Sequence, residues 1–256
     1  MNEFSYLNYV QLVETIKATI PLMDFAKIKK TDQQFFILRH DVEFSVEKAY
    51  ELATLEHDRL DIQSSYFFQL RNYSYNVLSF KNMGLIKKME SMGHKIGLHV
   101  NMSGLESLDN IADFIKNDVT ILQNGLGMPI DRFSYHRPTH TLLGLHLKID
   151  GLINAYDKLF FHLDNTTADN GHIHYFSDSQ HQWKYGNPLS ILESPIKKIQ
   201  LLIHPYSWSK QGYDNLDNFK ALIALKEDLM RQSMQDECQH FPSELRDTPP
   251  FRASHE

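Results

Sequence analysis

Short apolar runs alternate along the chain with segments of helical periodicity. The apolar runs are FFILRHD (35–41), SSYFFQL (64–70), HKIGLHV (94–100), FSYH (133–136), LFFHL (159–163), HYFSD (174–178) and IQLLIH (199–204). Their lengths are typical of buried strands. The periodic segments predict helices over 5–19, 45–57, 80–92, 107–123 and 214–236, with Ser45 and Ser107 as N-caps and Gly93 and Gly125 as stops. Strands that alternate with helices indicate parallel βα units.

The predicted fold class is α/β, a distorted (β/α) barrel with about seven parallel strands. Strands that are almost entirely apolar fit a sheet that is buried on both faces, and a closed or nearly closed barrel accommodates about seven such units. An open doubly wound sheet is the alternative, although no glycine-rich phosphate loop follows any predicted strand. We predict one barrel domain over 1–236, with the helix 5–19 packed on it, and a loose polar tail over 237–256.

Composition narrows the function classes. The 256 residues are 42% hydrophobic and carry a formal net charge of −6, without a basic stripe. A nucleic-acid partner is therefore not expected. The single cysteine, Cys238, cannot form an internal disulfide or a cysteine-rich zinc site. No run approaches the roughly 20 apolar residues of a membrane helix, and the N-terminus lacks a basic leader followed by an apolar core. We expect a protein that does not span the membrane and is cytoplasmic.

Four of the apolar runs end in ionisable residues, and this is where the sequence indicates chemistry. The residues are His40, Asp41, His99, His136, Arg137 and His204. In α/β barrels the active site gathers at the carboxyl ends of the strands. A single histidine there is best explained by a hydrogen bond to a nearby loop. Four apolar strands that all end in ionisable residues favour a single shared site.

Alternation along the first strand separates the roles of its polar residues. Asp41 and Glu43 lie two positions apart and share a face, whereas His40 points the other way and is predicted to be structural. Two carboxylates on one face can divide the work, one binding a metal and the other taking a proton from water. The alternative for Glu43 is an acidic residue before a helix N-terminus. That alternative explains Asp41 poorly.

Several motifs occur in an order that resembles one known family. They are RHDVEFS (39–45), SSYFF (64–68), GHKIGLH (93–99), HRPT (136–139), SDSQHQW (177–183) and LLIHPYSW (201–208). Over roughly residues 30–210 the chain resembles the polysaccharide deacetylases of carbohydrate esterase family 4, which share the nodulation-deacetylase homology domain. Within this superfamily it resembles an uncharacterised branch associated with surface-polysaccharide genes. The resemblance implies a metal-dependent hydrolase that removes acetyl groups from acetamido sugars.

The resemblance also implies a role for each matching residue. Asp41 would be the catalytic base, His204 the general acid, and Arg137 the residue that orients the base. Glu43 and His99 would bind the metal. Asp178, Trp183 and Trp208 would contact the substrate, with the two tryptophans beside the acetyl group. The cofactor would be one divalent ion, with zinc preferred and manganese, iron or cobalt as alternatives.

The sequence departs from the family pattern at the metal. The family places a second histidine four residues after the first, and Ser103 stands at that position here. Glu43 also replaces the usual aspartate. We expect His136 to supply the missing metal ligand.

Two candidate functions remain after these departures are considered. The first is an intracellular deacetylase acting on a nucleotide-linked or lipid-linked acetamido-sugar precursor in surface-polysaccharide biosynthesis. The second is a catalytically degenerate barrel that binds carbohydrate or assists assembly. An unrelated phosphoesterase would need more carboxylates at the strand ends. The sequence does not indicate an oligomeric state.

Overall fold

The computed structural model describes residues 3–103, 105, 107–162 and 172–246. Its centre is a sheet of seven parallel strands that curls into a half-barrel, in the order β5-β4-β3-β2-β1-β7-β6. The strands are β1 (Gln34–Val42), β2 (Ser65–Phe68), β3 (Lys95–Val100), β4 (Arg132–Tyr135), β5 (Ile153–Asn154), β6 (His174–Ser177) and β7 (Lys197–Ile203). The predicted α/β barrel-like class with about seven parallel strands is confirmed.

Seven helices accompany the strands in the described part of the chain, and five of them begin at a side-chain cap. The seven helices are α1 (Tyr6–Lys17), α2 (Val46–Leu55), α3 (Phe80–Ser91), α4 (Ile111–Leu126), α5 (His140–Gly144), α6 (Asn215–Glu237) and α7 (Ser243–Arg246). The hydroxyl of Ser45 accepts a hydrogen bond from the Lys48 amide, as predicted for the α2 cap. A single π-helical turn, Glu56–Leu60, extends α2. Short 3₁₀ turns lie at Phe25–Lys27, Pro188–Leu192 and Pro205–Ser207.

The central strand β1 organises the sheet. It pairs in parallel with β2 on one side and with β7 on the other, and its residues 35–42 are all buried. Strands buried on both faces need apolar cover on both faces. One layer of cover contains α2, α3 and α4, and another contains α1, whose Tyr9 and Val13 are fully buried.

Two sequence predictions were wrong in their details. The run predicted as a strand at 159–163 forms a turn over its first residues, because the amides of Phe160 and Phe161 donate to the carbonyl of Asp157; Leu163 lies outside the described residues. The helix predicted to run from Ser107 to Gln123 is shifted toward the C-terminus. It begins after Asn110 and ends at Gly127, whose φ of 68° is left-handed.

The predicted tail is only partly described. The helix α6 ends at Glu237, and residues 247–256 of the predicted tail at 237–256 lie outside the described part of the chain. Across the described residues, no helix combines the length and the apolar character that crossing a bilayer requires. The predicted domain boundaries stay predictions.

Candidate active site and metal centre

Loops and strand ends at one edge of the sheet bring six of the predicted site residues to one cavity. Five of them line this cavity, which has a volume of about 1050 Å³: Asp41, Glu43, His99, Arg137 and His204. His136 lies beside them, with its imidazole 3.3 Å from that of His99. The residues come from the ends of β1, β3, β4 and β7. Parallel strands place their carboxyl ends at one edge, which explains why distant positions meet.

Three side chains converge with the spacing of a metal site. The donor atoms of Glu43, His99 and His136 all lie within 4.8 Å of one another. His136 Nδ1 is 3.3 Å from His99 Nε2 and 3.3 Å from Glu43 Oε1. Ligands bound to zinc at about 2.0–2.1 Å in a tetrahedron lie about 3.3 Å from each other. The donor set and its spacing therefore fit one divalent cation.

The hydrogen bonds around His99 select the nitrogen that faces this centre. Ser134 donates its hydroxyl proton to Asp41 Oδ1 at 3.2 Å. Its oxygen is then the acceptor for His99 Nδ1, 2.8 Å away. His99 Nε2 is left with its lone pair toward Glu43 and His136. Burial lowers the pKa of His99 to about 4, so the imidazole is neutral at neutral pH, as a metal ligand must be.

Asp41 is held as a carboxylate by an arginine on its own strand. Arg39 Nε and Nη2 donate to the two oxygens of Asp41 at 2.9 and 2.7 Å. Both side chains are almost completely buried. Burial alone would raise the pKa of Asp41, but the guanidinium of Arg39 overcomes this effect and the pKa is about 2.

The contact with Asp41 that the resemblance assigns to Arg137 is made by Arg39. The guanidinium of Arg39 also donates to Gln200 and Tyr156, and it stacks 4.4 Å from the Tyr156 ring centroid. Arg137 follows β4 with a left-handed φ of 49° and is exposed at the cavity. The cation that orients Asp41 is thus Arg39, because residues 39 and 41 share one face of β1.

His204 and Asp178 form a buried ion pair at the opposite side of the centre. His204 Nδ1 donates to Asp178 Oδ1 at 2.6 Å, and the backbone amide of His204 donates to the same carboxylate. The other nitrogen, Nε2, faces Glu43 Oε1 at 3.8 Å. Burial would lower the pKa of His204, but Asp178 raises it to about 9. His204 therefore carries a proton at neutral pH.

The three residues expected to touch substrate have other partners. Asp178 is fully buried behind His204 and also accepts a hydrogen bond from Trp208 Nε1 at 2.7 Å. Trp208 is 1% exposed and packs with Trp183 in the apolar cluster under α1. None of the three lines the cavity. Asp178, which also binds Trp208, fixes the orientation of His204. Contact of the three residues with substrate stays a prediction.

Aromatic side chains that the sequence analysis did not single out form much of the cavity lining. One group consists of Tyr135, Tyr156, Phe161, Tyr175 and Tyr185, with successive ring centroids 4.8–5.5 Å apart. A second group consists of Phe44, Tyr206 and Phe219. Aromatic faces combine a large apolar area with a rigid shape. Aromatic faces of this kind suit contact with ring-shaped ligands.

Comparisons with known proteins find similarity only at the level of structure. No family model and no curated protein matches the sequence. A CE4 family pseudoenzyme from Bacillus anthracis is similar with a TM-score of 0.41 and 13% identity, covering 78% of this chain and 63% of that one. The Xyl-CE4 domain of a multidomain xylanase from the hindgut metagenome of Trinervitermes trinervoides has a TM-score of 0.41 and 16% identity, covering 86% and 94%. The chitin deacetylase from Colletotrichum lindemuthianum has a TM-score of 0.38 and 14% identity, covering 77% and 84%.

This chain spans less than two thirds of the length of that pseudoenzyme. The solved structures similar to this chain are thus CE4 family proteins, a pseudoenzyme among them, and theirs is the family that the sequence motifs resemble.

Proposed function

We propose that this protein is a divalent-metal-dependent hydrolase that removes the acetyl group from an acetamido sugar. The observation that carries the proposal is the convergence on one cavity of three metal-donor side chains, an ionised Asp41 and a protonated His204. A base, an acid and an electrophilic centre are the parts that amide hydrolysis needs.

Glu43, His99 and His136 would hold the ion. When bound, a divalent cation supplies Lewis-acid chemistry, which polarises a carbonyl oxygen and makes water more acidic. Two neutral imidazoles and one carboxylate suit zinc first, and manganese, iron or cobalt as alternatives. His136 would replace the family's second histidine as a metal ligand. Ser103 cannot do so because it is an exposed residue beyond the end of β3.

Asp41 is the proposed base. Its Oδ2 lies 3.6 Å from His99 Nδ1, and Arg39 fixes the plane of the carboxylate with two hydrogen bonds. An oriented carboxylate that lines the cavity can accept the proton of the attacking water. Arg39 touches neither water nor substrate in this scheme and acts as a positioning residue.

His204 is the proposed acid. Asp178 keeps its Nδ1 proton in place and stabilises the imidazolium, so Nε2–H points toward the cavity. A carbon–oxygen bond forms between water and the acetyl carbon, the amide carbon–nitrogen bond breaks, and the proton of His204 passes to the leaving nitrogen. Acetate and a free amino sugar are the products.

The finer features of the proposal rest on the sequence. The family resemblance supports an acetamido-sugar substrate and a role in surface-polysaccharide biosynthesis. A nucleotide-linked or lipid-linked precursor in the cytoplasm stays an expectation. The size of the cavity supports a ligand larger than one sugar ring, because pockets for drug-sized molecules span about 300–1000 Å³.

A second candidate function is a sugar-binding protein without catalysis. The observation that favours it is Ser103 at the position of the family's second metal histidine. The retained Asp41, Arg137 and His204 favour the enzyme, and so does His136 beside His99.

Acetate release by the purified protein separates the two candidates. The protein is loaded with zinc, manganese, iron or cobalt and incubated with N-acetylated amino sugars and their nucleotide-linked forms. We expect acetate from the wild type and a loss of at least a hundredfold in Asp41→Asn. The control is Asp113→Asn on the surface of α4, where the side chain is 79% exposed. Sugar binding without acetate from any loaded form would favour the second candidate.

A further inference from the structure

Arg137 lies at the cavity without a role in the proposed chemistry. Its φ of 49° is in the left-handed region, which costs a non-glycine residue conformational energy. Gln180 and His181, on the loop after β6, share this backbone region and line the same cavity. Strained backbone residues cluster at ligand sites when the surrounding structure holds them there. The mouth of the cavity therefore has the local character of a binding surface.

The acids near Arg137 already have partners. Asp41 and Glu43 are the two carboxylates that line the cavity, and they bind Arg39 and His136 respectively. Within the described part of the chain, Arg137 makes no hydrogen bond or ion pair. Its exposed guanidinium keeps all five donors available for a ligand.

A second cation that lines the cavity, Lys184, comes from the loop after the outermost strand β6. Its Nζ lies 5.8 Å from the ring centroid of Tyr185. Among the described residues it has no carboxylate partner. The chain as a whole carries a net charge of −6. Two cations without carboxylate partners therefore give the cavity mouth a local charge of the opposite sign. A cleft with one sign of charge concentrates ligands of the opposite sign.

We propose that Arg137 and Lys184 form an anion subsite and that the substrate is an acetamido sugar bearing a phosphate or a carboxylate group. The acetamido part rests on the proposed function; the anion subsite rests on the two cations. A guanidinium matches either group through two parallel hydrogen bonds, and an ammonium adds a point charge. Because Arg39 makes the hydrogen bonds to Asp41, the guanidinium of Arg137 is not engaged there.

The test compares three probes on the metal-loaded protein. They are N-acetylglucosamine, its 1-phosphate, and the corresponding N-acetylated uronic acid. Equilibrium binding gives the preference for each charged probe over the neutral one, and acetate release is measured separately. The variants are Arg137→Ala and Lys184→Ala. The matched control is Arg59→Ala, an exposed arginine on the π-helical turn after α2 that does not line the cavity.

We expect the wild type to prefer at least one charged probe by tenfold or more, and the identity of that probe names the anionic group. Arg137→Ala should reduce the preference at least tenfold and Lys184→Ala by a smaller factor, while Arg59→Ala keeps it. A preference that is undiminished in both Arg137→Ala and Lys184→Ala overturns the subsite. Equal binding of all three probes by the wild type overturns it too.

The two proposals fail separately. If the protein prefers a charged probe but releases acetate from none of the probes, the deacetylase proposal is wrong and the anion subsite is supported. Acetate release together with equal binding of neutral and charged probes would overturn the subsite and leave the deacetylase standing.

Discussion

At the scale of single residues, the pair formed by Arg39 and Asp41 is the contact on which base catalysis depends. Arg39→Lys keeps a buried positive charge but replaces two parallel hydrogen bonds with one point charge. We expect kcat for acetate release to fall by about 10–100-fold with a smaller change in KM, because a misoriented base loses transition-state stabilisation.

Arg71→Lys is the matched control. Arg71 makes a similar bidentate contact with Asp118, with nitrogen–oxygen distances of 3.2 and 2.8 Å, and it lies outside the cavity. Its substitution should leave kcat within about twofold. A wild-type kcat in Arg39→Lys would show that Arg39 has no positioning role.

The Asp178–His204 pair gives a second prediction at this scale. Asp178→Asn removes the charge that keeps His204 protonated and allows the imidazole to adopt the wrong tautomer. We expect kcat to fall by about 10²–10⁴-fold, as general-acid contributions do. Thermal unfolding and metal content should be measured on the same sample. A folded, metal-loaded Asp178→Asn with wild-type kcat contradicts the assignment of His204 as the acid.

Residue-level reasoning from the sequence predicted the cluster of Glu43, His99 and His136 but did not single out Arg39, which binds Asp41. The alternation rule that paired Asp41 with Glu43 also places Arg39 on the same face, and that signal was available. The family motif drew attention to Arg137 instead. The left-handed backbone of Arg137 depends on the tertiary path of the loop after β4, and sequence pattern alone does not reveal such a path.

At the scale of elements, a buried polar network joins α1 to the central strand. Glu56 on the π-helical turn accepts hydrogen bonds from Tyr9 of α1 and from Ser64 and Tyr66 near β2, and its carboxylate lies 3.0 Å from His40 of β1. Glu56 is fully buried. Removing one member of a buried charged network is costly, because its partners lose their compensation.

Acid titration of stability tests this network. Burial would raise the pKa of Glu56, but His40 and the other partners lower it to about 2. A lowered carboxyl pKa stabilises the fold above the unfolded value of about 4.3, and this contribution disappears as the pH falls toward 2. Glu56→Gln should therefore lower the free energy of unfolding at pH 7 by about 3 kcal/mol and flatten its acid dependence.

The control for Glu56 is Glu51→Gln in α2, where the carboxylate is 49% exposed and pairs with Lys48. We expect a change within about 0.5 kcal/mol there. If Glu56→Gln retained the wild-type slope between pH 5 and pH 2, about the range of this titration, the network would not be the source of acid sensitivity.

Two glycines test how tightly the elements pack. A Cβ on Gly97 of β3 would lie 2.6 Å from the Phe67 ring and 2.7 Å from the Arg132 side chain, whereas a Cβ on Gly84 of α3 would meet nothing within 4 Å. Gly97→Ala should cost about 1–3 kcal/mol of unfolding free energy. Gly84→Ala should stabilise α3 by about 0.5–1 kcal/mol. Chemical denaturation measures both, and the same sign for the two would contradict the packing described.

Strands of four or more residues were predictable from their apolar runs, whereas the shortest strand was not. Six of the predicted runs coincide with strands, because each is a buried apolar segment. The two-residue strand β5 (Ile153–Asn154) is too short to produce a pattern. Gly125 and Gly127 both resemble helix stops, and only the backbone conformation distinguishes them: Gly127 is left-handed, whereas Gly125 lies inside α4 against Leu78.

At the scale of the whole molecule, the half-barrel explains why residues from Asp41 to His204 share a cavity. The carboxyl ends of the parallel strands supply the reacting groups, and the loops after β4 and β6 supply the cavity mouth. The sequence could predict this convergence because it follows from parallel topology alone. It could not predict the aromatic lining or the free cations, since these depend on loop paths between distant strands.

Metal binding tests the central claim most directly. Purified protein is loaded with zinc, manganese, iron or cobalt, dialysed, and measured for bound metal by elemental analysis, beside His136→Ala and the exposed control His57→Ala. We expect about one equivalent in the wild type and in His57→Ala, and an affinity at least ~10-fold lower in His136→Ala, since even outer-shell changes cost about 10–100-fold. Wild-type protein that retains none of these ions, or His136→Ala that retains the same equivalent, would contradict a centre built from Glu43, His99 and His136.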